Sequence, residues 1–284
     1  MMTEGPIRSV LFMPASNPRA IDKARTLPCD VAVLDLEDAV APDMKAEARA
    51  AAIEAVRVGG FGPRLAVRIN GLDTPWGSDD LDALAGIPVG IIVAPKVEDA
   101  RDVAELQGRL PAGAALWAMI ETPRALFNLE ALCGAGDALD ALMFGTNDLT
   151  AALGCQSVPD REPLKPWLAA TVAIARAHGL GVIDGVFNRL DDPDGFAAEC
   201  AQGRLYGFDG KSLIHPGQIG AANATFCPSD DEVAHAMALV AAFADPAAAG
   251  RGAIRVGGGM VERLHLTAAE ALLRRHDTCS RTRD

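Results

Sequence analysis

The chain contains the run Ala115-Leu-Trp-Ala-Met-Ile-Glu121 and, a little further on, the run Leu139-Asp-Ala-Leu-Met-Phe-Gly-Thr-Asn-Asp148. Each begins with an apolar stretch that is short enough for a buried β-strand, and a carboxylate follows each stretch. A carboxylate left unpaired inside a protein carries a large desolvation penalty. We therefore expect Glu121 and Asp148 at the mouth of a barrel, where water, a metal or a substrate can reach them.

Two carboxylates at adjacent strand ends, completed by water, are a common way for proteins to hold Mg²⁺. We predict that Glu121 and Asp148 bind one divalent cation. The alternative is that each carboxylate only caps a helix, because both stand where a helix could begin. The spacing alone leaves both interpretations open.

Eight strand-like runs alternate with helix-like segments in the first part of the chain. They cover residues 9–13, 31–34, 65–71, 90–94, 115–120, 139–145, 181–184 and 205–210. This alternation predicts an α/β fold, namely a right-handed (β/α)₈ TIM barrel with its chemistry at the carboxyl ends of the strands. A doubly wound open sheet is the alternative, which is less favoured because no G-x-G-x-x-G or P-loop motif follows the first run.

The pattern changes after about residue 220. We predict a barrel domain over residues 1–220 and a C-terminal helical lid or oligomerisation extension over residues 221–284. Helix-like segments occur near 230–243 and up to about 275, and Gly257-Gly-Gly259 lies between them. These glycines predict a hinge or an extended arm, which could cover the mouth of its own barrel or that of a neighbour.

The composition excludes two classes of partner. The formal net charge is −12 and no basic patch is visible, so we expect no nucleic-acid partner. We also expect no membrane association, because no apolar run reaches the roughly 18 residues of a spanning helix. The first residues lack the basic-then-apolar pattern of a signal peptide, which predicts a cytoplasmic protein.

Arg68 stands at the end of the third run. Its guanidinium could offer two parallel hydrogen bonds to a substrate carboxylate. It could instead pair with Glu37 or Asp38, which follow the second run. Both can hold together, because Arg68 and a metal ion would jointly neutralise this group of carboxylates.

Several short motifs occur in a consistent order along the chain. They are Arg8-Ser-Val-Leu-Phe-Met-Pro14, Asp35-Leu-Glu-Asp-Ala-Val-Ala-Pro42, Val67-Arg-Ile-Asn-Gly71, Ala94-Pro-Lys96, Ile120-Glu-Thr122, Phe144-Gly-Thr-Asn-Asp-Leu149 and Gly210-Lys-Ser-Leu-Ile-His-Pro-Gly-Gln-Ile219. Together they resemble the citrate lyase β-subunit family, which includes malyl-CoA and citramalyl-CoA lyases and belongs to the Mg²⁺-dependent aldolases. The resemblance runs from about residue 8 to 220 and, more loosely, through the tail.

The resemblance implies a TIM barrel that assembles as a homotrimer or hexamer and uses Mg²⁺. The implied reaction cleaves a citryl, citramalyl or malyl thioester of CoA or an acyl carrier protein. Its products would be an acetyl-type thioester and a 2-oxo acid, which is oxaloacetate, pyruvate or glyoxylate. The α and γ subunits of citrate lyase are further candidate partners. The alternatives are a hydrolase of the same thioesters and a non-catalytic relative that binds CoA or partner subunits.

Carried over by position, the resemblance also implies roles for individual residues. The metal ligands would be Glu121 and Asp148, the substrate contacts Arg68, Glu121 and Gly145, and the contacts to the carrier phosphates Arg19, Lys23 and Lys45. Glu37 and Asp38 would act in catalysis beside Arg68 by holding metal-bound waters.

The family's proton-transfer carboxylate is commonly an Asp in a Met-(Val/Ile)-Asp-Arg-Pro segment of the tail, which closes over the barrel of a neighbouring subunit. The matching run here is Met260-Val-Glu-Arg-Leu264. Glu262 places its carboxylate about 1.5 Å further along the side chain than Asp would. Because a misplacement of roughly 1 Å can cost about a hundredfold in rate, this departure weighs against efficient lyase activity. A looser lid that admits water would favour hydrolysis of the thioester.

Overall fold

The computed structural model describes residues 5–245 and 250–281, and it divides into two compact units. The first unit extends to Ala224 and the second begins at Thr225. The strands of the first unit are β1 Ser9–Pro14, β2 Val31–Asp35, β3 Arg64–Arg68, β4 Ile91–Ala94, β5 Ala115–Ile120, β6 Leu139–Phe144, β7 Gly181–Asp184 and β8 Gly210–Leu213. Each strand pairs in parallel with the next, and β8 pairs with β1 to close the barrel. The predicted (β/α)₈ TIM barrel is therefore confirmed.

Helices connect the strands in alternation. The helices up to residue 225 are α1 Pro18–Ala24, α2 Lys45–Val58, α3 Gly77–Leu84, α4 Ala100–Arg109, α5 Pro123–Cys133, α6 Thr146–Leu153, α7 Lys165–Ala177, α8 Pro193–Tyr206 and α9 Ile219–Thr225, with short 3₁₀ helices at Pro42–Met44, Glu162–Leu164 and Pro216–Gln218. Every helix in residues 5–245 and 250–281 is too short or too polar to cross a bilayer.

Every second residue of the strands fills the interior of the barrel. On β5 the interior apolar cluster takes Trp117 and Met119. Since side chains alternate between the two faces of a strand, the next interior position is Glu121. On β2 and β3 the same alternation ends at Asp35 and Arg68, which stand opposite each other in the strand register. The interior thus changes from apolar to charged at the carboxyl ends of the strands.

The prediction of a strand over residues 205–210 is wrong. Helix α8 continues to Tyr206 and ends at Gly207, which adopts a left-handed φ of 99°. The eighth strand is Gly210–Leu213 instead. Its sequence pattern is hidden because Lys211 occupies a fully buried position of the strand.

Lys211 is buried within a cluster of four charged side chains. Its ammonium lies 3.0 Å from Asp184 Oδ2 and 2.7 Å from Glu199 Oε1. Arg161 completes the cluster, with Nη1 2.6 Å from Asp184 Oδ1. Two cations thus balance two carboxylates, which is the condition under which buried charges are tolerated.

The second unit contains the helices α10 Asp230–Ala244 and α11 Arg263–Arg281 and the strands β9 Ala253–Val256 and β10 Gly259–Glu262. The two strands form an antiparallel hairpin. Gly257 and Gly258 join them with left-handed φ angles of 57° and 86°, as a two-residue hairpin turn requires. These glycines therefore close a hairpin and do not form a hinge, and the role of residues 221–284 as a lid or oligomerisation extension stays a prediction.

Removing the ammonium of Lys211 should strongly destabilise the barrel. We expect Lys211→Met to lower the free energy of unfolding by about 3–5 kcal/mol, since two buried carboxylates lose their partner. Urea denaturation followed by circular dichroism measures this change. Lys165→Met is the control, because the ammonium of Lys165 contacts exposed carboxylates, and its unfolding midpoint should stay near the wild-type value. Equal midpoints for the two variants would contradict the assigned role of Lys211.

Candidate functional site

A cavity of about 350 Å³ opens at the carboxyl ends of the barrel strands. The structure brings four of the predicted site residues to its wall, namely Asp38, Arg68, Gly145 and Asp148. Apolar residues, including Phe12 and Met119, line the same cavity. The combination of an apolar wall and convergent charged groups is typical of a small-molecule site.

Arg68 is committed to a partner within the barrel. Its Nε and Nη2 donate hydrogen bonds of 2.7 and 2.6 Å to the two carboxylate oxygens of Asp35. Its Nη1 lies 2.8 Å from Glu37 Oε2, and the guanidinium lies over the ring of Phe12 at 5.0 Å. The bidentate fork predicted for a substrate carboxylate is therefore occupied by Asp35, and Arg68 presents a fixed positive charge to the cavity.

Asp35 is a site residue to which the sequence analysis assigned no role. It ends strand β2 on the interior face and stands opposite Arg68 in the register. A signal was present in the sequence, because Asp35 shares the parity of the interior residues Val31 and Val33. The sequence does not show which cation Asp35 contacts, because that depends on the register between β2 and β3.

The loop after β2 carries Glu37 and Asp38. On one side, Asp35 accepts hydrogen bonds from the backbone N–H of Glu37 at 2.9 Å and of Ala39 at 3.2 Å. On the other side, Lys45 Nζ donates to the carbonyl oxygens of Leu36 and Glu37, both at 2.8 Å. Charged groups thus hold both the amides and the carbonyls of this loop.

This contact engages the ammonium of Lys45, which the sequence analysis expected to meet a carrier phosphate. The residue is 6% exposed and its ammonium donates to two carbonyls, and the phosphate contact stays a prediction. Burial lowers the pKa of Lys45, and the nearby carboxylates of Asp35 and Glu37 oppose that change. Arg19 and Lys23, by contrast, are exposed on α1, and phosphate binding by these two residues stays a prediction.

Glu121 is buried directly beside Gly145. Its Oε1 accepts a hydrogen bond of 2.7 Å from the backbone N–H of Lys96. A Cβ atom on Gly145 would lie 2.3 Å from Glu121 Cβ and 2.7 Å from its Oε2, so only glycine leaves room for this carboxylate. The N–H of Gly145 donates to the carbonyl of Ile120 at 2.9 Å. Gly145 therefore provides space at the site, while its N–H is used within the barrel.

The helix-capping alternative is wrong for both carboxylates. Thr122 is the N-cap of α5, and its hydroxyl accepts the N–H of Ala125 at 3.2 Å. In α6 the N-cap is Gly145, and Asp148 lies inside the first turn without a capping hydrogen bond. Glu121 and Asp148 are thus available for another role.

The site carries more negative charge than its cations offset. Burial, together with the nearby carboxylates of Glu37 and Asp148, raises the pKa of Glu121 to about 7. Burial also raises the pKa of Glu37, against the effect of Arg68. Glu37 Oε2 is buried and makes no aligned hydrogen bond, although Arg68 Nη1 is within ion-pair distance. An additional cation would relieve this excess of negative charge.

These residues fit a hard divalent cation. Glu121 and Asp148 could supply carboxylate oxygens, and Glu37 Oε2, which makes no aligned hydrogen bond, could accept one from a bound water. Within the described ranges, no three acidic, histidine or cysteine side chains are arranged to hold an ion by themselves. Water and substrate would therefore complete the coordination shell, as is usual for Mg²⁺.

Glu262 lies on β10 in the second unit. Its side chain is exposed, and its backbone N–H donates a hydrogen bond of 2.9 Å to His265 Nδ1. The proton-transfer role of Glu262 stays a prediction.

Comparison with known proteins matches residues 8–216 to the model of the HpcH/HpaI aldolase/citrate lyase family. A (3S)-malyl-CoA thioesterase of Cereibacter sphaeroides is 43% identical over 269 residues, which is 94% of each chain. An L-malyl-CoA/beta-methylmalyl-CoA lyase of the same organism is 35% identical over 305 residues, covering 97% of this chain and 96% of the lyase.

A solved structure resembles the whole chain. It is protein CitE from Mycobacterium tuberculosis in complex with magnesium, acetoacetate and coenzyme A. Its TM-score is 0.82 at 33% identity, covering 96% of this chain and 98% of that one.

Magnesium binding should depend on pH through Glu121. A ligand must lose its proton, and the pKa of Glu121 is about 7, so the group is mostly ionised at pH 8 and mostly protonated at pH 6. We expect the magnesium dissociation constant to be about tenfold larger at pH 6 than at pH 8. Isothermal titration with MgCl₂ measures both values. Glu121→Gln should bind weakly at both pH values, and equal affinities in the wild type would contradict the assignment.

Proposed function

The chain belongs to the HpcH/HpaI aldolase/citrate lyase family, and from that premise we propose that it is a Mg²⁺-dependent hydrolase of a malyl-type CoA thioester. The observation that carries the proposal is the buried Glu121 carboxylate, for which Gly145 leaves room next to a cavity lined by Asp148. In this proposal Glu121 and Asp148 bind Mg²⁺, and Arg19 and Lys23 contact the carrier phosphates.

The choice of substrate rests on similarity. The thioesterase and the lyase from Cereibacter sphaeroides are both named for malyl-CoA. Protein CitE was crystallised with coenzyme A and magnesium, which supports a CoA thioester as the substrate and Mg²⁺ as the cofactor. An acyl carrier protein and partner subunits stay predictions.

The proposed hydrolysis transfers an acyl group to water. The oxygen of water attacks the thioester carbon, the carbon–sulfur bond breaks, and the thiol leaves with a proton. A bound Mg²⁺ would act as a Lewis acid toward substrate oxygens. In this proposal Glu37, whose Oε2 makes no aligned hydrogen bond, orients water and accepts its proton. Arg68, which Asp35 holds in place, provides fixed positive charge for the oxygen that becomes negative.

Hydrolysis is preferred over carbon–carbon cleavage for two reasons. The thioesterase is more similar to this chain, at 43% identity, than the lyase, at 35%. In addition, Glu262 stands where the resemblance places an Asp. Lyase activity is the second candidate, because Arg68 and a bound Mg²⁺ would stabilise the negative charge that develops in either reaction. In that reaction the hydroxyl loses its proton, the carbon–carbon bond breaks, and its electrons form an enolate that is protonated to acetyl-CoA.

Product analysis distinguishes the two reactions. With (3S)-malyl-CoA and MgCl₂, we expect free thiol to form faster than glyoxylate, and EDTA to abolish both. Asp148→Asn should lower the rate of thiol release by about a hundredfold or more, because it removes a proposed metal ligand. Lys165→Met, on the outside of the barrel, should retain the wild-type rate. Predominant release of glyoxylate would establish the lyase instead, and no turnover of any malyl, citramalyl or citryl thioester would overturn the proposal.

Shortening Glu262 should shift the enzyme toward cleavage. We expect Glu262→Asp to raise glyoxylate release by roughly ten- to a hundredfold, because it restores the reach of the family's Asp. We propose that this residue acts on a neighbouring subunit in a homotrimer or hexamer. Glu270→Asp, an exposed substitution on α11, is the matched control and should change neither product. A cleavage rate that stays constant or falls in Glu262→Asp would remove the special role of this position.

A further inference from the structure

The loop between β2 and α2 holds two of the carboxylates in the proposed site, and Lys45 is the first residue of the helix that follows. We propose that Lys45 is a positioning residue, whose ammonium fixes the backbone beneath Glu37 and Asp38. The inference rests on the proposed function, in which these carboxylates hold the waters of the metal. It assigns Lys45 to the catalytic step and not to binding of the carrier.

The side chain of Lys45 donates hydrogen bonds to two backbone carbonyl oxygens at the start of this loop. Nζ donates at 2.8 Å to the carbonyl of Leu36 and at 2.8 Å to that of Glu37. The Glu37 carbonyl also accepts the N–H of Val40 at 2.9 Å. Hydrogen bonds from an ammonium are among the stronger ones in proteins, so the two carbonyls are held at a defined distance from α2.

The opposite side of the loop is held by Asp35. Its carboxylate accepts the N–H of Glu37 and of Ala39, and it also binds Arg68. The loop backbone is therefore fixed between a carboxylate and an ammonium. If Lys45 is removed, the Asp35 side remains and the carbonyl side is released, which would let the Glu37 carboxylate move relative to Arg68.

A phosphate-binding role does not fit the surroundings of Lys45. The ammonium lies 5.2 Å from the centre of the Trp76 ring, and the residue is 6% exposed. A phosphate would have to displace hydrogen bonds to two carbonyls and approach their negative ends. The charge of Lys45 is directed inward to the loop.

The chain offers a matched control in Lys165. Lys45 follows the 3₁₀ helix Pro42–Met44 and begins α2, and Lys165 follows the 3₁₀ helix Glu162–Leu164 and begins α7. The ammonium of Lys165, however, contacts the exposed carboxylates of Asp160 and Glu162. A Lys→Met substitution therefore alters the same kind of helix start at both positions. Only at Lys45 does it also remove a contact to the loop after β2.

The kinetic experiment compares Lys45→Met, Lys45→Arg and Lys165→Met on malyl-CoA and on malyl-pantetheine, which lacks the nucleotide phosphates. For Lys45→Met we expect kcat to fall about 10- to 100-fold and KM to stay within about twofold on both substrates, since a small displacement of a site group costs rate more than affinity. Lys45→Arg keeps a charged donor and should recover part of kcat. Lys165→Met should behave as the wild type.

A second readout does not require turnover. In magnesium-free protein, we expect amide hydrogen exchange in the peptide that covers residues 36–44 to rise at least about tenfold in Lys45→Met and to stay unchanged in Lys165→Met. A rise in KM on malyl-CoA alone would overturn the inference and restore a phosphate contact. Unchanged kcat together with unchanged exchange would also overturn it. If the wild type turns over no thioester, the proposed function fails, and the exchange result still decides whether Lys45 holds the loop.

Discussion

The buried ion pair between Asp35 and Arg68 organises the barrel mouth. Asp35 binds the guanidinium through both oxygens and accepts two backbone N–H groups of the following loop. One carboxylate therefore sets the position of the cationic group at the cavity and of the loop that carries Glu37. Such a pair is costly to break, because removal of either partner leaves a buried charge uncompensated.

The barrel contains two buried groups of charged side chains that differ in the balance of positive and negative charge. Around Lys211 and Asp184, two cations and two carboxylates neutralise each other, and this cluster stabilises the closure between β7 and β8. Around Glu121, burial and the neighbouring carboxylates of Glu37 and Asp148 raise the pKa of Glu121 to about 7. A balanced cluster contributes to stability, whereas an unbalanced one is characteristic of a site that binds an ion or moves a proton.

The same charge argument links the fold to the proposed chemistry. A cation between Glu121 and Asp148 would lie at the edge of an apolar cavity, beside the fixed charge of Arg68. In such a setting, electrostatic stabilisation of a negative oxygen costs little reorganisation. Hydrolysis and carbon–carbon cleavage both develop negative charge on a thioester oxygen. The charges at the mouth of the barrel would therefore favour both reactions. Which reaction is faster depends on the group that transfers the proton and on the access of water to the thioester.

The sequence by itself determined the barrel and the two metal-ligand candidates, because alternating apolar runs and the carboxylates that follow them are local patterns. Glu121 shows this, since the parity of β5 carries it from the interior cluster to the mouth. The tertiary structure alone decided the partners of the charges. Lys211 concealed a strand because its compensating carboxylates come from other elements. The acceptors of Lys45 could not be predicted, because they are carbonyls whose positions depend on how the loop folds. A buried charge is neutralised by groups that the fold brings together. These groups are separated in the sequence, so their spacing along the chain does not predict the contact.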